Sequence, residues 1–414
     1  MMNQIELKLK KNITKNYWYS LVNSLNLTHG LWMIYLAYKG MNLLEIGMLE
    51  GFFHVCSLIM EVPTGAIADL MGRKASRIAG RIFALISLLI MIVSNTFWMF
   101  ACSFFFSALS YNLESGSGEA LVFDSLKVIN EEKGYTKVAG NLEAIFQTAS
   151  IVSLIVGGLM GEKSFMLAFM TALVISGIAI ILAMTFYEPP IEKVVNSEHS
   201  LQNFMIHTFE SFKTLFSKRT IAFLTLFTTT LSAFTTVLFY YIQNYWKSTG
   251  LSIATIGVFL AIGSAGGALL AINVERMEKA LKRTNLGNLS KYPFLFFALI
   301  IFMGIFLVAF SGFTPLTAAI TVIALTLIMA GESGMFVSFN NFLNQNIPSH
   351  QRATIISIES MLFSLIMIAI FPIFGWIADQ TSFQVSFLCL AGLAGVLLFA
   401  SLIIMNQFRS KSSR

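Results

Sequence analysis

The feature that most constrains this chain is a series of uninterrupted apolar runs, each about 20 residues long. A helix of that length spans about 30 Å, the thickness of a bilayer's hydrocarbon core. Lipid offers no partner for backbone N–H and C=O groups, so a spanning segment must be a helix or a strand of a closed barrel. Barrel strands are short and alternate in polarity; these runs do neither. Charged residues make up only 12% of the chain, against about 25% in soluble proteins, and mean hydropathy is +0.75. The chain reads as an all-α membrane protein whose first partner is the lipid bilayer. This excludes a soluble domain, a disordered chain and a nucleic-acid binder, despite a pI of 9.1.

Twelve spans are expected, centred on 17–38, 44–70, 77–95, 98–126, 138–161, 164–187, 220–246, 253–274, 292–311, 314–344, 353–377 and 382–407. The first is too long for a signal-peptide core and should stay in the membrane. The longest connection opens with Pro189-Pro190 and carries an amphipathic stretch from Leu201 to Phe216. The predicted layout is an N-terminal arm (1–16), a six-helix bundle (17–187), a central loop with a surface helix (188–219), a second six-helix bundle (220–408) and a tail (409–414). Lysine and arginine fix the orientation. With both termini in the cytoplasm, 24 of 27 basic residues fall inside, and only Lys39, Lys163 and Lys247 fall outside. The expected location is the cell membrane, and the net charge of +6 reflects topology and implies no acidic partner. Cys56, Cys102 and Cys389 all lie in apolar runs, share no metal spacing and imply no disulfide.

The two halves repeat each other. An offset of 210 carries Tyr35, Gly40, Ile46 and Gly47 onto Tyr245, Gly250, Ile256 and Gly257. An offset of 218 carries Glu114-Ser115-Gly116 onto Glu332-Ser333-Gly334, Gly157 onto Gly375 and Ser164-Phe165 onto Ser382-Phe383. The ordered identities point to a duplicated bundle, an architecture that places its site between the halves near the bilayer midplane.

After the second span comes Gly65-Ala66-Ile67-Ala68-Asp69-Leu70-Met71-Gly72-Arg73-Lys74. Gly65 permits close helix contact, Gly72 a tight turn, and Asp69 can meet a helix N-terminus or a cation. The stretch resembles the loop 2–3 signature of the major facilitator superfamily, G-x-x-x-D-x-x-G-R-K. The resemblance implies the major facilitator fold, twelve helices in two pseudo-symmetric six-helix bundles. It implies a loop that locks the outward-facing state, with the aspartate contacting the second half and the arginine pairing with an acid on the fourth span. Asp124 suits that partner role, or is simply an interfacial acid. Within the superfamily the chain looks most like the small-molecule and drug exporters of Gram-positive bacteria. It departs from their proton-coupled members: Asn112 stands where an arginine is expected, and the fifth span ends in Gly157-Gly158 without a proline.

Seven acids fall within the predicted spans: Glu50, Glu61, Glu114, Glu119, Glu143, Glu332 and Glu359. Each costs roughly 2.5–3.5 kcal/mol at a helix centre. No basic residue is expected at equal depth, with Arg81 placed near the inner surface. Carboxylates without a counter-charge either bind protons or await a cationic ligand, so anion transport is disfavoured. On the second span, His54 lies about 40° and Glu61 about 20° around the helix from Glu50. The three share one stripe, either a proton path or a set of interhelical hydrogen bonds. Glu114 and Glu332 are related by the repeat, and the resemblance places their spans beside a central cavity. Glu119 lies about 140° from Glu114 and cannot face the same way. His29, beside Asn23, Asn26 and Thr28, is a cavity group or a hydrogen-bonded packing residue.

No phosphate loop, zinc helix or nucleophile motif is present, so the chain is not read as an enzyme. No cofactor is expected, and energy should come from a proton gradient. The leading reading is a monomeric secondary transporter that exports an amphipathic cationic or zwitterionic small molecule by proton antiport. Proton-coupled uptake of a neutral nutrient and lipid flipping remain alternatives.

Overall fold

The computed structural model describes residues 4–190, 219–311, 315–347 and 349–412. The side chains of Val62, Ala66 and Asp69 and of residues 315–316, 349–357 and 408–412 stand outside that description, as does the stretch expected to form a surface helix, 201–216. The described residues form helices and no strand. In chain order these are α1 (Gln4–Ser24), α2 (Trp32–Tyr38), α3 (Leu43–Met71), α4 (Arg73–Val93), α5 (Phe97–Val128), α6 (Tyr135–Lys163), α7 (Phe165–Met184), α8 (Arg219–Ser248), α9 (Ile253–Lys282), α10 (Pro293–Phe310), α11 (Pro315–Asn346), α12 (Ser349–Gln380) and α13 (Phe383–Ser412). Ten helical segments among the described residues are long and apolar enough to cross a membrane. The fourth expected span, α5, falls short of that group because Asn112, Glu114, Ser115, Ser117 and Glu119 dilute its apolar character.

The first expected span departs from a continuous helix. It breaks between Ser24 and Trp32. Asn23, Asn26, Thr28 and Gly30 crowd this stretch, and short polar side chains offer the backbone alternatives to the helical ladder. Thr28 Oγ1 donates to Asn26 Oδ1 at 2.9 Å, and the Asn26 amide donates to the Ser24 carbonyl at 2.8 Å. Gly157 of α6 makes room for the break, since a Cβ there would stand 2.2 Å from the Leu27 carbonyl oxygen.

The chain divides into two compact units. The first holds residues up to Tyr35 and, from Leu49 onward, the rest of α3 through α7. Its core gathers Tyr19, Leu121, Ala179, Ala183 and Phe186. The second holds α8 to α13 together with Leu36–Met48. Phe294, Phe297, Ile301 and Phe339 are almost wholly buried in it, and α8 is its most enclosed helix.

Each unit builds the repeat in the same way. Gly40 and Gly250 both take positive φ, 90° and 88°. Each closes its helix with the same pair of bonds: Gly40 to Ala37 and Met41 to Leu36, Gly250 to Lys247 and Leu251 to Trp246. This is the Schellman arrangement that glycine favours at a helix end. Tyr35 packs on Phe165 and Phe169 at 5.4 and 4.5 Å between ring centres; its repeat partner Tyr245 packs on Phe383 and Phe387 at 5.8 and 5.7 Å.

Candidate functional site

The sharpest polar cluster of the first unit surrounds Glu114 on α5. Arg77 and Arg81 lie one and two helical turns into α4, which begins at Arg73. Arg77 Nε and Nη2 donate to Glu114 Oε1 at 3.2 and 3.1 Å, and its Nη1 donates to Asn16 Oδ1 at 2.6 Å. Arg81 Nε lies 3.6 Å from Glu114 Oε2, and its Nη1 donates to Asn23. Tyr19 donates its hydroxyl to Glu114 Oε2 at 2.8 Å, while the Arg77 guanidinium lies 4.0 Å from the centre of the Tyr19 ring. Arg77 is 4% exposed.

This corrects the expectation that no basic residue reaches the depth of the span acids. Two do, and Glu114 is fully engaged by them. A buried carboxylate tolerates its position when paired and hydrogen-bonded, and both conditions hold here. Glu114 is thereby a structural partner of α4, and the local charge is positive rather than negative.

Its repeat partner Glu332, on α11, sits differently. The Thr235 hydroxyl of α8, which donates to the Ser232 carbonyl at 2.8 Å, lies beside it. The positions that correspond to Arg77 and Arg81 are Leu295 and Leu299, and among the described residues no lysine or arginine pairs with it. The duplicated acid thus lies in two chemical settings, charge-paired in one unit and beside a hydroxyl in the other.

On α3 the structure brings Glu50 and His54 together, with His54 Nε2 3.7 Å from Glu50 Oε1 and both side chains largely buried, 10% and 13% exposed for His54 and Glu50. Glu61 is half-buried on the same helix, with Tyr111 of α5 beside it. Between these acids Ser57 and Asn112 bracket α3 to α5: Ser57 Oγ donates to Asn112 Oδ1, and Asn112 Nδ2 donates to the Ser57 carbonyl, both at 2.7 Å. Asn112, where exporters of this kind were expected to carry arginine, is a helix-to-helix clasp. Glu119 and Glu143 are exposed, the latter accepting from Gln147 at 2.7 Å. His29 lies in the break of the first span, its backbone amide donating to the Asn26 carbonyl at 3.1 Å.

At the loop 2–3 motif, Arg73 Nε lies 3.7 Å from Asp124 Oδ2. Gly72, at φ 98°, lets the chain turn into α4. The backbone amides of Arg73 and Lys74 both donate to the Glu188 carboxylate at 2.7 Å. A Cβ on Gly72 would stand 2.7 Å from that carboxylate. Glu188 caps the positive end of α4, as an acid at a helix N-terminus should. Sequence reasoning missed it because its partner lies more than a hundred residues away and no local pattern marks it. Nothing among the described residues lies within 4 Å of where a Gly65 Cβ would be, so none of them makes the close contact expected of Gly65. The side chain of Asp69 lies outside the described residues. Among those residues no group of three or more His, Cys, Asp or Glu side chains is placed to hold a metal ion.

These features define a polytopic helical membrane carrier built by duplication. The family model of the Major Facilitator Superfamily matches residues 20–372, and the chain belongs to that superfamily. It is 24% identical over 369 residues to an uncharacterized MFS-type transporter, YxaM, of Bacillus subtilis (strain 168), covering 87% of each chain. It is 25% identical over 221 residues to the class H tetracycline resistance protein of Pasteurella multocida, covering 51% of this chain and 53% of that one. In fold it resembles the nucleoside transporter NupG, with a TM-score of 0.74 at 16% identity over 97% of this chain and 99% of that one. The protein is a multi-pass membrane transporter of small molecules, not an enzyme.

Proposed function

We propose that the chain exports an amphipathic cationic or zwitterionic small molecule across the cell membrane in exchange for protons, as a monomer with both termini in the cytoplasm. The observation that carries this reading is the contrast between the repeat-related acids. Glu114 is occupied by two arginines, whereas Glu332 meets only a hydroxyl among the described groups. A carboxyl group inside a span without a basic partner takes up a proton or a cation. Glu332 therefore replaces Glu114 as the leading coupling group. The Glu50–His54 pair, two proton-exchanging groups one helical turn apart, is the second. Glu61 is a further acceptor on the same helix. His29 and Glu119 lose weight, the first because it belongs to a helix break, the second because it is exposed. The tetracycline resistance relative supports export. Asp69, Gly72, Arg73, Lys74 and Asp124 serve the conformational switch, with Glu188 added as the cap that holds α4 in place.

The test is exchange in liposomes holding the purified protein and a pH-sensitive dye. Cationic, zwitterionic, neutral and anionic compounds are added against an imposed pH gradient. Cationic or zwitterionic compounds should dissipate the gradient. Glu332→Gln and Glu50→Gln should abolish coupled exchange while leaving substrate-for-substrate exchange in place. Full coupling in both variants would overturn the assignment of the acids, and coupled entry of neutral compounds alone would establish nutrient uptake instead.

A further inference from the structure

The last turn of α12 contains Gly375-Trp376-Ile377-Ala378-Asp379. Except at one position this repeats Gly65-Ala66-Ile67-Ala68-Asp69 in the last turns of α3. Each copy follows a proline inside its helix, Pro372 and Pro63. An aspartate at a helix C-terminus opposes the helix's own dipole, so neither acid is there to stabilise the helix that carries it. In the loop 2–3 motif the acid was read as a group for another helix's N-terminus. For Asp379 the structure supplies that helix.

Leu36–Met48 belongs to the second unit and carries the N-terminus of α3 into it. The Asp379 carboxylate accepts from the backbone amides of Leu43 at 3.2 Å and Leu44 at 2.8 Å. The remaining amides of that terminus are satisfied locally. Asn42 Oδ1 accepts from the Glu45 amide at 2.8 Å, and Glu45 Oε2 accepts from the Asn42 amide at 2.9 Å. This is a capping box with asparagine as the cap. It leaves only the first two helical amides for an outside acceptor, and Asp379 takes both. The approach depends on glycine. A Cβ on Gly375 would stand 2.2 Å from the Leu43 carbonyl oxygen, and one on Gly47 would stand 2.8 Å from the Phe371 carbonyl oxygen. Tyr241 of α8 closes the cluster, donating its hydroxyl toward the carbonyls of Leu43 at 3.1 Å and Phe371 at 2.9 Å. Asp379, Leu43 and Leu44 keep access to solvent, so water can replace the carboxylate when the contact parts.

We propose that Asp379 is a releasable latch of the transport cycle: it clasps the N-terminus of α3 to the second unit at the outer face, and it is the counterpart of Asp69 at the inner face. The α3 chain is shared between the units, with Leu43–Met48 in the second and Leu49 onward in the first. Any change of access must therefore either bend α3 near Met48 or open this clasp. The hydrogen-bonded helix favours opening the clasp. The outer placement rests on the basic-residue topology, and the need for motion rests on the transport reading.

The test requires neither cargo nor gradient, so its failure is distinct from a failure of the exchange proposal. In a background with Cys56, Cys102 and Cys389 changed to serine, Ile46→Cys places a reporter at a position that is wholly buried. Its repeat partner, Ile256→Cys, is equally buried and serves as control. Intact cells are treated with a membrane-impermeant maleimide. Asp379→Ala should raise the labelling rate at Ile46→Cys about tenfold, the effect of weakening the closed state by about 1.4 kcal/mol, and leave Ile256→Cys unchanged. Gly375→Ala should produce the same selective rise by pushing Leu43 away. An unchanged rate at Ile46→Cys in both variants overturns the latch. So does an equal rise at both reporters, which marks general loosening, or a rise confined to inside-out vesicles, which puts the contact on the wrong face.

Discussion

Glu114 and Glu332 occupy equivalent places in the repeat and have opposite surroundings, and the difference lies in two side chains on the preceding helix of each unit. Arg77 and Arg81 reach Glu114, whereas Leu295 and Leu299 stand at the matching positions of the second unit. Removing one partner of a buried ion pair costs about 3–5 kcal/mol. Arg77→Met should fall at the low end of that range, because Arg81 still faces Glu114, and should lower the thermal unfolding midpoint of the purified protein. Arg77→Met combined with Glu114→Met should recover most of the loss. Glu332→Gln should leave the midpoint nearly unmoved, because it breaks no ion pair among the described residues and an amide of the same shape can still lie beside the Thr235 hydroxyl. A large loss of stability in Glu332→Gln would place that acid among the structural groups instead. The acids themselves were legible in the sequence as ionisable groups in apolar runs. Their partners were not. A residue near the end of a span reads as interfacial, but arginine's long side chain can point toward the midplane as readily as toward water, and the Arg77 guanidinium here lies over the rings of Tyr19 and Phe186.

At the scale of the element, the glycines separate conformational demands from steric ones. Gly40 and Gly250 stand in open space, with no atom within 4 Å of where a Cβ would be, yet both have positive φ. An L-residue in that region costs roughly 1–2 kcal/mol. Gly40→Ala and Gly250→Ala should therefore lower stability by similar amounts, about 1 kcal/mol each, read as matched shifts in thermal unfolding. Gly157→Ala should cost more, because its Cβ would enter the Leu27 carbonyl and the backbone there must move. The turn glycines were readable because the repeat aligns them. The break at 25–31 was not, because a run of mixed polar and apolar residues satisfies both a helix and the local bonds that replace it, and only packing against Gly157 decides between them.

For the whole molecule, the orientation of the helix ends decides which contacts face the cytoplasm. The faces assigned to the Asp379 latch and to the loop 2–3 motif depend on it. The basic residues set the expectation, since lysines and arginines are retained on the cytoplasmic side and 24 of 27 fall there when both termini are placed inside. Single cysteines in the cysteine-free background test it. Lys163 and Lys133 are both exposed, Lys163 as the last residue of α6 and Lys133 two residues before its start. Lys163→Cys should react with an impermeant maleimide in intact cells. Lys133→Cys should react only after the membrane is opened. Lys247→Cys and Lys279→Cys extend the same comparison to the second unit, where α8 ends and α9 runs back across the bilayer. Agreement of all four would put Asp379 on the outer face and the Arg73–Asp124 pair on the inner one. The reverse pattern would exchange those faces, so that the clasp on α3 would guard the cytoplasmic entrance and the Arg73–Asp124 pair the outer one.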